Sequence, residues 1–233
     1  MTHRFYTGTT KSREGSLELT QKLWINDRQL ATQILRVLRM RVGEELVLFD
    51  GLGTDKLYKI IEVEPEAVCL EHVTDIEPKV PSRHIHLGFS LLKKDKSEWV
   101  VQKATELGAT HIVPIISDRT EKTGFDKERM EKIAVEASEQ CGRSFLPEIS
   151  EPRALREVVD EYQANMPVLV ADMGSDTWQG SGDTVLVLVG PEGGWSENER
   201  ALFSERALLH IGLGDYTLRA ETAAITAVSH LSV

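Results

Sequence analysis

TVLVLV-GPEGG-WSENERALFSERALLHIGLGDYTLRAETAAITAVSHLSV, running from Thr184 to Val233, carries the most specific pattern in this 233-residue chain. Val185 to Val189 is an apolar, largely β-branched run of the length expected for a buried strand. Gly190-Pro191-Glu192-Gly193-Gly194 follows, a loop whose three glycines release the backbone for unusual dihedrals and close approach to a ligand. Ser196 and Glu199 have the S-x-x-E spacing of a capping box, which predicts a helix start. Leu208 to Leu213 predicts a second strand, which runs through Gly214-Asp215-Tyr216-Thr217 into Leu218-Arg219-Ala220-Glu221-Thr222-Ala223 at the head of a last helix. Two strand–loop–helix corners side by side predict a ligand cradle, because open α/β sheets bind ligands at strand carboxyl ends.

The cradle has neither a P-loop lysine nor Gly-x-Gly-x-x-Gly spacing, and Glu192 inside the loop repels anions, so a phosphate ligand fits poorly. A neutral or cationic adenosyl group fits better. The pattern GPEGG followed by LG-x-x-x-LR-x-ETA resembles the ribosomal RNA uridine-N3 methyltransferases, the RsmE family of the SPOUT class. Glu139-Gln140-Cys141-Gly142-Arg143 with Pro147-Glu148-Ile149, and Gln102-Lys103-Ala104-Thr105-Glu106-Leu107-Gly108, resemble the same family, so the likeness runs from about residue 4 to the end. It implies an α/β fold: a C-terminal trefoil-knot (SPOUT) domain over 82–233 and an N-terminal PUA-like RNA-binding β-barrel over 1–76. The knot is an implication of the resemblance alone, since knots are nearly absent from folds. The chain departs from the family at Tyr216, where a basic residue is usual, and at Thr32 and Gln33, where a histidine is usual ahead of Val37-Leu38-Arg39.

The formal net charge of −10 argues against a polyanionic partner until its distribution is considered. Residues 1–42 hold eight Lys/Arg against three acids, +5, and the rest of the chain is therefore −15. Such a split predicts a local basic face on an acidic body, with an uneven solvated surface as the plain alternative. Two cysteines fit a reducing compartment better than a disulfide framework. No apolar run opens the chain, so the expectation is a soluble cytoplasmic protein with neither signal peptide nor membrane span.

Short strands are expected at Arg4–Thr7, Ser16–Leu19, Glu45–Phe49, Lys56–Val63 and Ala67–Val73, with a hairpin punctuated by Asp50-Gly51 and Gly53. One helix capped by Asn26 or Asp27 runs to a stop at Gly43. Glu77-Pro78-Lys79-Val80-Pro81 is the expected connection, as two prolines resist both helix and sheet interior. Strand–helix alternation follows, the mark of a mainly parallel sheet: strands at Ile85–Leu91, Ile112–Ile116 and Pro167–Ala171, and helices over Lys96–Leu107, over Lys127–Gly142, and after Pro152 through Tyr162. His84 and His86 share one strand face, but no third ligand has suitable spacing, and no metal is expected. On the 127–142 helix, Met130, Ile133, Ala134, Ala137 and Cys141 form an apolar stripe. Glu136, Glu139, Gln140 and Arg143 form a polar one, open to reading as a solvated face. Cys141 reads as packing.

The resemblance implies methyl transfer from S-adenosyl-L-methionine to N3 of one uridine in 16S rRNA or the small ribosomal subunit. No thiolate is needed, because the nitrogen is itself the nucleophile. Expected cofactor contacts are Leu188, Gly190, Pro191, Glu192, Gly193, Gly194, Ile211, Leu213, Gly214, Leu218 and Ala223. Expected catalytic residues are Arg219 and Arg143, to stabilise charge on the uracil carbonyls, and Glu139 as base. Arg4, Arg36, Arg39 and Arg41 are the expected RNA contacts. Ala220, Ala223, Ala224 and Ala227 form a small-residue stripe that suits either core packing or a homodimer. Two other readings stay open: a SPOUT methyltransferase acting on tRNA or another rRNA position, and a non-catalytic RNA-binding ribosome-assembly protein that keeps the pocket.

Overall fold

The computed structural model describes residues 2–8, 18–121, 124–176, 178, 180 and 182–232. It divides into two compact units, one of residues 1–80 with 138–145 and one of residues 81–137 with 146–233. No described helix is long and apolar enough to cross a membrane.

In the first unit, β1 (His3–Tyr6), β2 (Lys22–Ile25), β3 (Glu45–Phe49), β4 (Asp55–Glu64) and β5 (Ala67–Ile76) form a sheet in the order β1-β3-β4-β5-β2. The β1–β3 pair is parallel and the others antiparallel. Alternation sends Leu46 and Leu48, Tyr58 and Ile60, and Val68 and Leu70 into one core with Phe5 and Ile25. Tyr58 enters that core with its hydroxyl donating to the Thr20 carbonyl at 2.8 Å, and burial, then Asp75, pushes its phenol up to about 12. The β3–β4 hairpin turns as expected, Asp50 Oδ1 accepting from the backbone N–H groups of Leu52 and Thr54.

Three local expectations change. Of the expected Ser16–Leu19 strand, Ser16 and Leu17 lie outside the described residues, and Glu18 and Leu19 are not in a strand. The Lys22–Ile25 strand was not expected; pairing with β5 creates it. Asp27 does cap the helix, accepting from the Leu30 N–H at 2.7 Å, but α1 (Arg28–Thr32) passes into a π-helical turn, Gln33–Val37, and stops before Gly43. The residue that ends it is Arg39, at φ +56°, a left-handed position where glycine is usual.

Residues 138–145 carry polar groups into the first unit. Tyr6 N–H donates to Glu139 Oε1 at 2.9 Å, Ser144 Oγ donates to Asp55 Oδ2 at 2.9 Å, and the Arg4 guanidinium meets the same Asp55 oxygen at 2.8 Å.

The second unit is a parallel sheet: β6 (His84–Ser90), β7 (His111–Ile116), β8 (Glu148–Ile149), β9 (Arg153–Ala154), β10 (Val168–Ala171), β11 (Thr184–Val189) and β12 (Leu209–Ile211). The order among described residues is β12-β10-β11-β6-β7-β8, with β9 also on β7. Helices α2 (Lys94–Glu106), α3 (Lys127–Cys141) and α6 (Ala220–Leu231) bury Val100, Ala104, Ala134, Ala224 and Val228 against one face. Helices α4 (Leu155–Gln163) and α5 (Glu197–Glu205) bury Val158, Val159, Leu202 and Phe203 against the other. Strand β11 serves both faces, with Val185, Val187 and Val189 on the first and Leu186 and Leu188 on the second. Its unbroken apolar run follows from that double coverage. At Gly88 a Cβ would lie 2.8 Å from Leu188 Cδ2, so a larger residue there would make the neighbouring leucine and isoleucine side chains shift.

Candidate functional site

A cavity of about 380 Å³ opens at the carboxyl ends of β10, β11 and β12, three adjacent parallel strands. Its walls come from Ala171 at the end of β10 with Asp172 and Met173 after it, from Val189 at the end of β11 with Gly190 to Glu192, Gly194, Trp195 and Arg200 after it, and from Leu213, Gly214 and Tyr216 to Ala220, with Ala223, after β12. The strand order explains the crevice. Helix α5 after β11 packs on one face of the sheet and α6 after β12 on the other, so the loops leaving these two strands part around the end of β10.

Local chemistry sets each wall. Ser196 Oγ accepts from Glu199 N–H, and Glu199 Oε2 accepts from Ser196 N–H, completing the capping box. Glu199 is buried, and its other oxygen accepts from Asp118 N–H at 2.9 Å, which ties the start of α5 to the loop after β7. Trp195 packs under the glycine loop, edge-on to Phe203 at 5.1 Å, and a Cβ at Gly190 would lie 3.0 Å from its indole. Gly194 and Gly214 hold φ of +66° and +128° with open space where a Cβ would be. At Gly212 a Cβ would meet the Ser175 carbonyl oxygen at 1.8 Å, and Gly212 N–H donates to the Asp176 carbonyl, so the loop after β10 lies directly on the end of β12. Asp172 accepts from Arg200 at 3.0 Å, and the Thr217 hydroxyl donates to Met173 Sδ at 3.0 Å, joining the outer walls.

Of the residues expected to meet a cofactor, Gly190, Pro191, Glu192, Gly194, Leu213, Gly214, Leu218 and Ala223 are on the lining. Leu188 and Ile211 are buried in the two core layers, and Gly193 turns outward, its carbonyl accepting from Arg119. Asp172, Met173, Trp195, Arg200 and Thr217 were not singled out. The signal for the first two was their place just past a parallel strand. Trp195 and Thr217 had the same kind of signal, one directly after the GPEGG loop and the other inside the loop after β12, whereas Arg200 reaches the wall from within α5.

Arg219, exposed at the N-cap of α6, lines the cavity. Arg143 and Glu139 do not: both belong to the first unit, where the buried Arg143 guanidinium donates through Nε to the Phe145 carbonyl. Burial lowers the Arg143 pKa to about 10, still fully charged at neutral pH. Arg36, Arg39 and Arg41 are exposed, whereas Arg4 is drawn inward, its guanidinium on Asp55 and 4.9 Å from the Phe49 ring centre. Ala220, Ala224 and Ala227 are buried in the second unit's own core, and Ala223 faces the cavity. Among the described residues no group of three or more His, Cys, Asp or Glu is placed to hold a metal ion.

The comparisons agree with this layout. The RNA methyltransferase domain family matches residues 78–232, and the RNA methyltransferase PUA domain family matches residues 34–71. The ribosomal RNA small subunit methyltransferase E of Aquifex aeolicus is 31% identical over 98% of both chains. A Legionella pneumophila methyltransferase solved with SAM bound is 32% identical, with a TM-score of 0.84, over 99% of this chain and 97% of that one. The ribosomal RNA small subunit methyltransferase E of Neisseria gonorrhoeae, solved with S-adenosyl methionine, is 26% identical with a TM-score of 0.87 over the same shares. The family match spans most of the second unit, cavity walls included, and the Aquifex likeness spans nearly the whole chain: the protein belongs to the ribosomal RNA small subunit methyltransferase E family of RNA methyltransferases.

Proposed function

We propose that the protein transfers a methyl group from S-adenosylmethionine to N3 of a uridine in 16S ribosomal RNA, in the cytoplasm. The observation that carries the reading is the cavity at the ends of β10, β11 and β12, walled by the GPEGG and LG-x-x-x-LR-x-ETA segments. Its chemistry suits the cofactor. Val189, Leu213, Leu218 and Ala223 offer an apolar bed, and the glycine loops offer backbone groups at close range. When bound, S-adenosylmethionine supplies an electrophilic methyl on a sulfonium and leaves as a neutral thioether.

The chain's own part is to bind, orient and manage charge. Loss of the proton from uracil N3 spreads negative charge onto the two flanking carbonyls, and that charge is neutralised when N3 takes the methyl group. Arg219, on the cavity rim, is the proposed group that stabilises that charge, with Arg143 as a second cation and Glu139 as the base. The exposed Arg36, Arg39 and Arg41 are proposed to meet RNA phosphates. The first unit is proposed to close as a PUA-like barrel, which its parallel β1–β3 pair and the bulges between β4 and β5 support. The second unit is proposed to be a trefoil knot, and two copies to form a homodimer. Because Ala227 is core, Ala227→Trp would unfold the chain before it tested assembly. Sedimentation of the intact protein tests it instead, and a monomer fully active at nanomolar concentration would end the dimer reading.

The function is tested by incubating the protein with S-adenosylmethionine and small-subunit RNA, then mapping the modified nucleotide. One N3-methyluridine is expected. A methyl group on tRNA, on another rRNA position, or on no RNA would favour the competing readings. Glu139→Gln and Arg143→Lys chains that methylate at the normal rate would remove those residues from the mechanism.

A further inference from the structure

The ammonium of Lys96, in the first turn of α2, lies 3.1 Å from Glu192 Oε1 and 3.2 Å from Glu221 Oε2. Glu192 lies in the glycine loop after β11 and lines the cavity. Glu221 is in the first turn of α6, two residues beyond Arg219. One cation from a separate element, α2, therefore holds two of the three segments that wall the cavity. The group is only partly wet, with side-chain exposures of 26% for Lys96, 12% for Glu221 and 44% for Glu192. Hydrogen bonds to Glu192 and then Glu221 raise the Lys96 pKa, so the ammonium stays charged at neutral pH. Two carboxylates sharing one ammonium leave one negative charge in excess beside the cavity.

We propose that Lys96 is a positioning residue that clamps Glu192 to Glu221, and that its charge sets how strongly the cavity prefers the cationic sulfonium cofactor over the neutral thioether formed from it. The inference rests on the methyl-transfer reading above. The two ligands share their adenosyl and amino-acid groups and differ mainly by the sulfonium charge and its methyl. An added wall charge therefore acts on the ratio of their affinities, whereas a loss of packing acts on both alike. Lys96 thus works against an over-tight cofactor and a one-sided exchange, a role that neither loop motif discloses by itself.

The test is calorimetric titration of S-adenosylmethionine and S-adenosylhomocysteine into the full chain and its Lys96→Met, Lys96→Arg and Glu192→Gln variants. Wild type should bind both ligands; failure to bind either would strike the cofactor reading itself, not the role of Lys96. Lys96→Met should shift the affinity ratio toward the sulfonium by roughly threefold, the scale of one unit charge at a half-exposed wall. Lys96→Arg should keep the wild-type ratio. Glu192→Gln should shift it the opposite way, and it carries the test if Lys96→Met does not fold. Equal weakening of both ligands in Lys96→Met, or an unchanged ratio in both Lys96→Met and Glu192→Gln, would overturn the proposal.

Discussion

The imidazole of His86 lies flat on that of His111, with 3.8 Å between ring centres and 4° between planes. The two side chains stand opposite each other on the paired strands β6 and β7, and Tyr162 packs edge-on against His86 at 5.3 Å. Two stacked imidazoles cannot both be charged at low cost in such a place. Burial first, and then His111 and His84, lower the His86 pKa from 6.5 to about 4, and burial lowers that of His111 as well.

The sign of the pH effect follows. Between about pH 6.5 and pH 4 the unfolded chain binds a proton that folded His86 refuses, so stability is full above that window and falls as the pH drops through it. From pH 7 to pH 5 the His86 share of the loss is about 2 kcal/mol. His86→Phe keeps the stack without the titration, and urea unfolding at both pH values should show it losing less on acidification than wild type. Parallel losses in the two proteins would refute the assignment.

Gly193 and Gly194 are neighbours with opposite expected sensitivities. Gly194 lines the cavity at φ +66°, where a β-branched residue is strained by about 1–2 kcal/mol. Gly193 points outward, and a Cβ there would only touch Arg119 at 3.4 Å. Gly194→Val should lower S-adenosylmethionine affinity at least about tenfold, whereas Gly193→Ala should bind as wild type does. Calorimetry on both decides it, and equal affinities would mean that the glycine loop does not hold the cofactor.

Arg39 sits at φ +56°, where glycine would be more stable by about 1 kcal/mol, so an arginine there calls for some use of its side chain. Arg39→Gly should raise the melting temperature slightly while reducing the log–log salt slope of RNA binding by about 0.7 if one single-strand phosphate contact is lost. Cofactor affinity should not change. A stabilised variant with an unaltered slope would show that Arg39 does not dock RNA.

Glu199 is buried and accepts N–H groups from both Ser196 and Asp118. Glu199→Ala leaves two backbone donors without that partner and should cost about 2–3 kcal/mol. Glu199→Gln, which keeps an acceptor oxygen, should lose less. Urea denaturation ranks them, and a Glu199→Ala loss no larger than an exposed-surface change would contradict the bond network.

What was legible in the sequence was whatever depends on a few neighbouring residues. The apolar run of β11, the Ser196–Glu199 capping box, the Asp27 cap and the glycine loops each follow from local periodicity or backbone chemistry. Their repetition as strand and helix after residue 81 was enough to predict a parallel α/β sheet with a ligand cradle at its carboxyl ends. Strand order, and with it the third wall at Asp172 and Met173, was set by which strands pair across long separations. Equally, only the folded chain carries Ser144 to Asp55, draws Arg4 inward to the same carboxylate, and brings Lys96 between Glu192 and Glu221. Opposite charges far apart in a sequence carry no signal of their own. Packing of the apolar faces chooses which of them meet, because the burial that drives packing far outweighs any one ion pair.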